Sequence, residues 1–123
     1  MSQKTNIVDK KADIGQLLES VGQLKSIQEG FDSYQNAYFE TRSPEFFCLE
    51  LNGEAGELAN LEKKQWKGRE IDHDRFGDEA ADVLIALMNY CNARNVSLGQ
   101  CVATKLQKIE TKRQEMASSG QSY

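Results

Sequence analysis

The sequence predicts an all-α fold, a bundle of four or five helices joined by short connections. Apolar residues recur at three- and four-residue steps along most of the chain, which is the spacing of one helix face. The chain contains a single proline and few runs of β-branched residues, which argues against an all-β fold. With 123 residues and 39% hydrophobic content, we predict one domain over residues 1–123.

The first part of the chain predicts an additional N-terminal helix. Residues 1–11 are polar, and we expect them to be flexible. Over residues 12–30 one helical face is apolar, and Gly30 is suited to end that helix. From Phe31 to about Thr41 an aromatic stripe predicts a second helix, either separate from the first or continuous with it. The apolar face of residues 12–30 carries Ile14, Leu17, Leu18, Val21 and Leu24.

The next helix is predicted from Pro44 to about Lys67. Ser43 is a good N-cap and Pro44 suits the first helical position. Glu54 falls in the middle of the apolar stripe of this helix, where a lone buried carboxylate would be strongly unfavourable. Either the stripe is drawn wrongly at that point, or Glu54 has a cationic partner. The stripe itself consists of Phe47, Leu51, Leu58 and Leu61.

Two further helices complete the prediction. Asp72 can cap a helix over about residues 73–94, and Asn95 can take the left-handed conformation that ends it. The last helix should run from Leu98 to about Met116, followed by a small, polar tail at 117–123 that we expect to be flexible. The core stripe of the helix over 73–94 is predicted to be Phe76, Ala80, Val83, Leu84, Leu87 and Cys91.

Four acidic residues border or interrupt these stripes. Glu54 and Glu57 are three residues apart, as are Glu79 and Asp82, so each pair shares one helix face. Solvent exposure is the ordinary explanation for paired acids on a helix. Here the intervening loop lets two antiparallel helices face each other, so the four carboxylates could surround a hard divalent cation. Oxygen ligands favour magnesium, with manganese as an alternative.

Composition excludes several other functions. The net charge of −4 does not favour a nucleic-acid-binding surface, and no apolar run is long enough to span a membrane. The lone histidine, His73, rules out a Ser/His/Asp or Cys/His catalytic set. Three cysteines without a CxxC pair indicate a reducing compartment, so we expect a cytoplasmic protein. These cysteines, Cys48, Cys91 and Cys101, lie in apolar stretches and are expected to be buried.

The motif Gly53-Glu-Ala-Gly-Glu-Leu58, a basic stretch, and Asp78-Glu-Ala-Ala-Asp-Val-Leu84 together resemble the MazG family of all-α nucleoside triphosphate pyrophosphohydrolases. The family pattern is ExxE, a spacer of about this length, and ExxD. The resemblance covers roughly residues 31 to 113. Other matching positions are Tyr34-Gln35, Thr41, Lys63-Lys64, Val96-Ser-Leu98 and Lys105-Leu106.

The resemblance implies a magnesium-dependent hydrolysis of nucleoside triphosphates to monophosphate and pyrophosphate, in nucleotide-pool clearing or recycling. It implies that Glu54, Glu57, Glu79 and Asp82 hold magnesium, with Glu54 and Glu79 central to catalysis. Glu50, one turn before Glu54, would orient a ligand or act as a base. Lys63, Lys64 and Lys105 would neutralise the phosphates, and Trp66 could stack on the nucleobase.

Relatives of this type form homodimers or homotetramers, with sites formed between subunits. The same is expected here, with Ile14, Leu17, Val21 and Leu24 as interface candidates. Val102 and Ile109 stand where the family often carries an asparagine near the lysine, which leaves the base and sugar preference open. Two alternatives remain: hydrolysis of another pyrophosphate-containing substrate such as phosphoribosyl-ATP, or a catalytically silent helical module that binds nucleotide or a partner helix.

Overall fold

The computed structural model describes residues 14–123, and over that range the chain is helical with no β-strand. The prediction of an all-α fold is confirmed for this part of the chain. The expected flexibility of residues 1–11 and the expected helix start at residue 12 lie outside the described residues. The five helices are α1 (Ile14–Val21), α2 (Gln23–Tyr38), α3 (Pro44–Trp66), α4 (His73–Arg94) and α5 (Leu98–Ser118).

The chain divides into two compact units, which are described separately. The larger unit is Ile27–Leu98, and the smaller combines the described residues up to Ser26 with Gly99–Tyr123. None of the helices between residues 14 and 123 has both the length and the apolar character that a membrane crossing needs.

Helices α3 and α4 form an antiparallel pair that dominates the larger unit. Phe47 near the start of α3 shares a cavity with Asn89 near the end of α4, whereas Glu57 further along α3 meets Glu79 near the start of α4. The helix ends follow the predicted caps. The Ser43 hydroxyl accepts a hydrogen bond from the Phe46 amide at 3.2 Å, and Asp72 caps α4 by accepting from the Asp74 amide at 3.2 Å.

The core of the larger unit lies between α3 and α4. Its buried apolar side chains are Phe47, Leu61, Ala86, Met88 and Cys91. The predicted stripe on α4 is wrong at Ala80, which is exposed, and at Leu84, which is 45% exposed. Helix α4 packs on α3, and Ala80 and Leu84, one turn apart, lie on a part of the α4 surface that remains exposed.

A network of buried amides joins α2 to the end of α4. Gln28 donates from Nε2 to the Asn92 side-chain oxygen at 3.0 Å and to the Val96 carbonyl at 2.7 Å. Its Oε1 accepts from the Leu98 amide at 2.9 Å, and the Asn92 side-chain nitrogen donates to the Gln28 carbonyl at 3.1 Å. Because each buried group is paired, this network stabilises one position of α2 against α4.

The smaller unit contains α1, the beginning of α2 and most of α5. The helix break falls at Gly22, and the predicted stop at Gly30 is wrong: helix α2 continues through it to Tyr38. Gly30 keeps a helical backbone, whereas positive φ among the described glycines occurs at Gly68 and Gly120. A glycine ends a helix by adopting the left-handed conformation, and Gly30 does not adopt it.

Close packing in the smaller unit occurs at Gly99, which is buried against the α1–α2 break. A Cβ atom at Gly99 would lie 3.2 Å from the Val21 carbonyl oxygen and 3.4 Å from the Leu24 Cβ.

The three cysteines were expected to be buried. Cys91 is buried, but Cys48 and Cys101 are exposed, so the prediction is wrong for those two.

Substitution Gly99→Ala should lower the free energy of unfolding by about 1–3 kcal/mol, because the backbone of Val21 must move to admit the methyl group. Gly30→Ala is the matched control, since a Cβ there would meet no atom within 4 Å. That control should raise the free energy of unfolding by about 1 kcal/mol through helix propensity. Urea denaturation measures both, and equal stabilisation by the two variants would contradict the close contact at Gly99.

Candidate functional site

Helices α3 and α4 bring three of the four predicted metal ligands together. Glu54, Glu57 and Glu79 each offer a carboxylate oxygen, and these oxygens lie within 4.8 Å of one another. Glu54 and Glu79 are half-buried between the helices, and Glu57 is exposed at their edge. We call these three residues the carboxylate cluster.

The position of the carboxylate cluster follows from the helix faces. Glu54 lies between the buried Phe47 and Leu61 on the same side of α3, so it points towards α4. Glu57 lies one turn further along α3. The fourth predicted ligand, Asp82, is half-buried one turn beyond Glu79 on α4 and is not part of the cluster. Asp82 still acts on the cluster electrostatically.

The carboxylate cluster brings several negatively charged groups close together. The pKa of Glu79 is raised to about 7, first by a hydrogen bond with Glu54, then by partial burial, and then by the charges of Glu57, Glu54 and Asp82. The pKa of Asp82 is also raised, mainly by burial and then by the charge of Glu54. Among the described residues no hydrogen-bond partner reaches the buried Oε2 atom of Glu79. A cation would supply the missing partner for that oxygen.

The donor set fits a hard divalent cation. Magnesium binds oxygen ligands at about 2.1 Å in an octahedron, so its ligand atoms lie about 3 Å apart when adjacent and about 4.2 Å apart when opposite. The cluster oxygens, within 4.8 Å of one another, are near enough for small side-chain movements to bring all three onto one cation. Three carboxylates would leave positions for water and phosphate oxygens.

The remaining predicted site residues lie at both ends of α3. Glu50 is exposed one turn before Glu54, on the side of the preceding loop. At the other end Lys63 is exposed, Lys64 is half-buried, and Trp66, the last residue of α3, is 88% exposed. Lys105 is an exposed residue of α5 in the smaller unit, and its contribution to the site stays a prediction.

Sequence reasoning missed a polar cleft at the C-terminal end of α2. Two adjoining cavities of about 280 and 470 Å³ share the lining residues Gln35, Arg42, Phe47 and Asn89, which we call the α2 cleft. Asn89 is only 7% exposed and follows the fully buried Met88 on α4. Asn89 lies outside the predicted apolar stripe of α4, so the sequence pattern gave no signal for this cleft.

No protein-family model, curated protein or solved structure matches this chain. The fold and the site are therefore interpreted from the residues and their geometry.

The raised pKa of Glu79 predicts how the stability of the metal-free protein depends on pH. Between the ordinary value of 4.5 and about 7, the unfolded chain releases this proton while the folded chain keeps it. The free energy of unfolding should therefore fall as pH rises through that window. Urea denaturation in chelator at several pH values measures the fall.

In this experiment Glu79→Gln should flatten the decline, because the amide is neutral at every pH. Glu62→Gln removes a carboxylate from α3 outside the carboxylate cluster and should keep the wild-type slope. A Glu79→Gln protein that loses stability with pH as steeply as the wild type would contradict the assignment.

Proposed function

We propose that this protein is a magnesium-dependent nucleoside triphosphate pyrophosphohydrolase of the MazG-like type, converting (d)NTP to (d)NMP and pyrophosphate. The observation that carries the proposal is the convergence of Glu54, Glu57 and Glu79 from two helices, with oxygens within 4.8 Å of one another. The ExxE and ExxD motifs supply the reaction class, and the geometry supports a cation site formed by those motifs.

The carboxylate cluster would hold the magnesium, with Asp82 as an additional ligand or as a hydrogen-bond acceptor for a bound water. When bound, magnesium or manganese would lower the pKa of a coordinated water and neutralise charge on the phosphates. Positive charge at this point would also lower the pKa of Glu79, which the hydrogen bond with Glu54, partial burial and the neighbouring carboxylates raise.

The chain's own residues supply the other requirements of hydrolysis. Water attacks the α-phosphorus, the bond from that phosphorus to the oxygen bridging to the β-phosphorus breaks, and pyrophosphate leaves. Glu50 lies one turn from Glu54 and is exposed, so it can accept the proton of the attacking water. Lys63 and Lys64 offer positive charge at the far end of α3 for the leaving pyrophosphate, and Lys105 is a further candidate for that role.

A second subunit would complete the site. Glu57 is exposed, so on one chain the carboxylate cluster is open to solvent at its edge. Leu17 is 49% exposed, which suits an interface in a homodimer or homotetramer. Val21, also predicted at the interface, is 8% exposed within its own chain and is therefore poorly placed for that role.

Metal binding is the first prediction from this proposal. Magnesium or manganese should raise the melting temperature of the wild-type protein at pH 7.5, because a ligand that binds the folded state alone stabilises it. Glu54→Gln should lose most of that increase, and Glu62→Gln should keep it. An equal increase in all three proteins would assign the effect to non-specific binding.

Hydrolysis is the second prediction. Pyrophosphate release from the eight canonical NTPs and dNTPs should depend on magnesium and stop in chelator. Glu79→Gln should reduce the rate by at least about a hundredfold, on the scale of losing a group that stabilises the transition state. Glu62→Gln should be within about twofold of the wild type, since it leaves the carboxylate cluster intact.

Two other outcomes would separate the alternatives. Absence of release from every nucleotide, together with magnesium-dependent stabilisation by nucleotide, would identify a silent binding module. If none of the eight nucleotides releases pyrophosphate or stabilises the protein, while metal binding is retained, the substrate would be another pyrophosphate-containing compound such as phosphoribosyl-ATP.

A further inference from the structure

The α2 cleft is formed entirely within the larger unit and adjoins the carboxylate cluster. Its walls come from the end of α2, the start of α3, the loop between them and the second half of α4. Glu50 lines the larger cavity, of about 470 Å³. Since Glu50 is four residues before Glu54, the cleft begins about 6 Å along α3 from the first carboxylate of the cluster.

Two amide side chains form the polar side of the cleft. The Asn89 side-chain nitrogen donates to the Gln35 side-chain oxygen at 3.5 Å, which is long for a hydrogen bond. The Asn89 side-chain oxygen and the Gln35 side-chain nitrogen take no part in that bond, so the pair keeps an acceptor and a donor in a cleft that both residues line. A donor and an acceptor on two neighbouring side chains suit the hydrogen-bonding edge of a nucleobase.

Aromatic rings form the other side of the cleft. Phe46 and Phe47 contact each other edge to face with ring centroids 5.5 Å apart, and both line the larger cavity. The Arg42 guanidinium lies 4.6 Å from the centroid of the Phe46 ring, and Tyr38, 74% exposed, stands at the rim. Flat aromatic and guanidinium groups favour a flat, aromatic ligand.

Trp66 lies far from this cleft along α3. Glu50 precedes Trp66 by 16 residues (66 − 50), or about 24 Å of helix, and Glu54 precedes it by about 18 Å. In a nucleotide the base and the α-phosphate are joined by a single sugar, so the two lie close together. A base whose phosphates lie on the carboxylate cluster can therefore reach the α2 cleft, whereas Trp66 of the same chain is too far away.

We infer that the α2 cleft is the nucleobase pocket of this protein, in which Gln35 and Asn89 read the edge of the base and determine base specificity. The inference rests on the proposed function for the position of the triphosphate. In this arrangement the base lies between the amides and the phenylalanine rings, and the phosphates extend past Glu50 to the carboxylate cluster. Trp66 then contacts a nucleotide only as a residue of a second subunit.

The test compares affinities for the α,β-methylene analogues of ATP, GTP, CTP and UTP, which resist cleavage at the proposed bond. Calorimetry in magnesium gives Kd for each analogue and for inorganic tripolyphosphate, which has phosphates but no base. The variants are Gln35→Glu, which replaces the amide donor with an acceptor, and Gln35→Met, which removes both without adding charge. Gln107→Glu, on an exposed residue of α5, is the charge-matched control.

We expect the ratio of the strongest to the weakest base affinity to change by roughly tenfold in both Gln35 variants. Gln35→Glu should shift the preference towards bases that present N–H groups to the cleft. Tripolyphosphate affinity should be unchanged in Gln35→Met, and Gln107→Glu should leave the base ranking unchanged. Because Gln35 is half-buried at the surface end of α2, these substitutions are less disruptive than those at the buried Asn89.

The inference is overturned if all four analogues weaken by one common factor, since Gln35 would then act on the phosphates or on packing. It is also overturned if tripolyphosphate binds the wild type as tightly as every nucleotide analogue, although the metal chemistry would then stand. The opposite case is distinguishable: reordered base affinities without any pyrophosphate release would support the cleft and remove the proposed hydrolysis.

Discussion

The main constraint on this protein is the close approach of like-charged carboxylates between α3 and α4. Glu54, Glu57 and Glu79 meet on helices that are otherwise joined by apolar packing, and the pKa of Glu79 is raised to about 7 as a result. Proximity of this kind is unfavourable unless a proton or a cation lies between the groups. The buried side chains of Met88 and Phe47 stabilise the arrangement of α3 and α4 that keeps these carboxylates close together.

A second polar feature lies at the other end of the same helix pair. Gln28 and Asn92 form a buried amide network with every hydrogen bond at 3.1 Å or less, whereas Asn89 and Gln35 make a single bond of 3.5 Å. The first network is well satisfied and positions α2. The second pair is joined by one long hydrogen bond in a cleft, where a ligand could compete for it. The two amide pairs are separated by only about one turn of α4.

The helix ends and the paired acids could be predicted because they depend on local sequence. Ser43, Asp72 and Asn95 act on backbone groups within a few residues, so the bounds of α4 agree with the prediction and those of α3 nearly so. The helix break at Gly22 and the exposure of Leu84 could not be predicted in this way, since both depend on which helix covers a given face. The α2 cleft also combines residues from three helices, and periodicity within one helix gives no information on that combination.

Two glycines on α3, Gly53 and Gly56, lie on either side of Glu54. Gly53 and Gly56 each reduce helix stability by about 1 kcal/mol relative to alanine. A Cβ at either position would meet no atom within 4 Å, so packing among the described residues does not require glycine there. Close packing within the chain therefore does not explain these glycines over residues 14–123. Glycine also lets a ligand or a second backbone approach closely, and such an approach beside Glu54 would agree with the proposed nucleotide site.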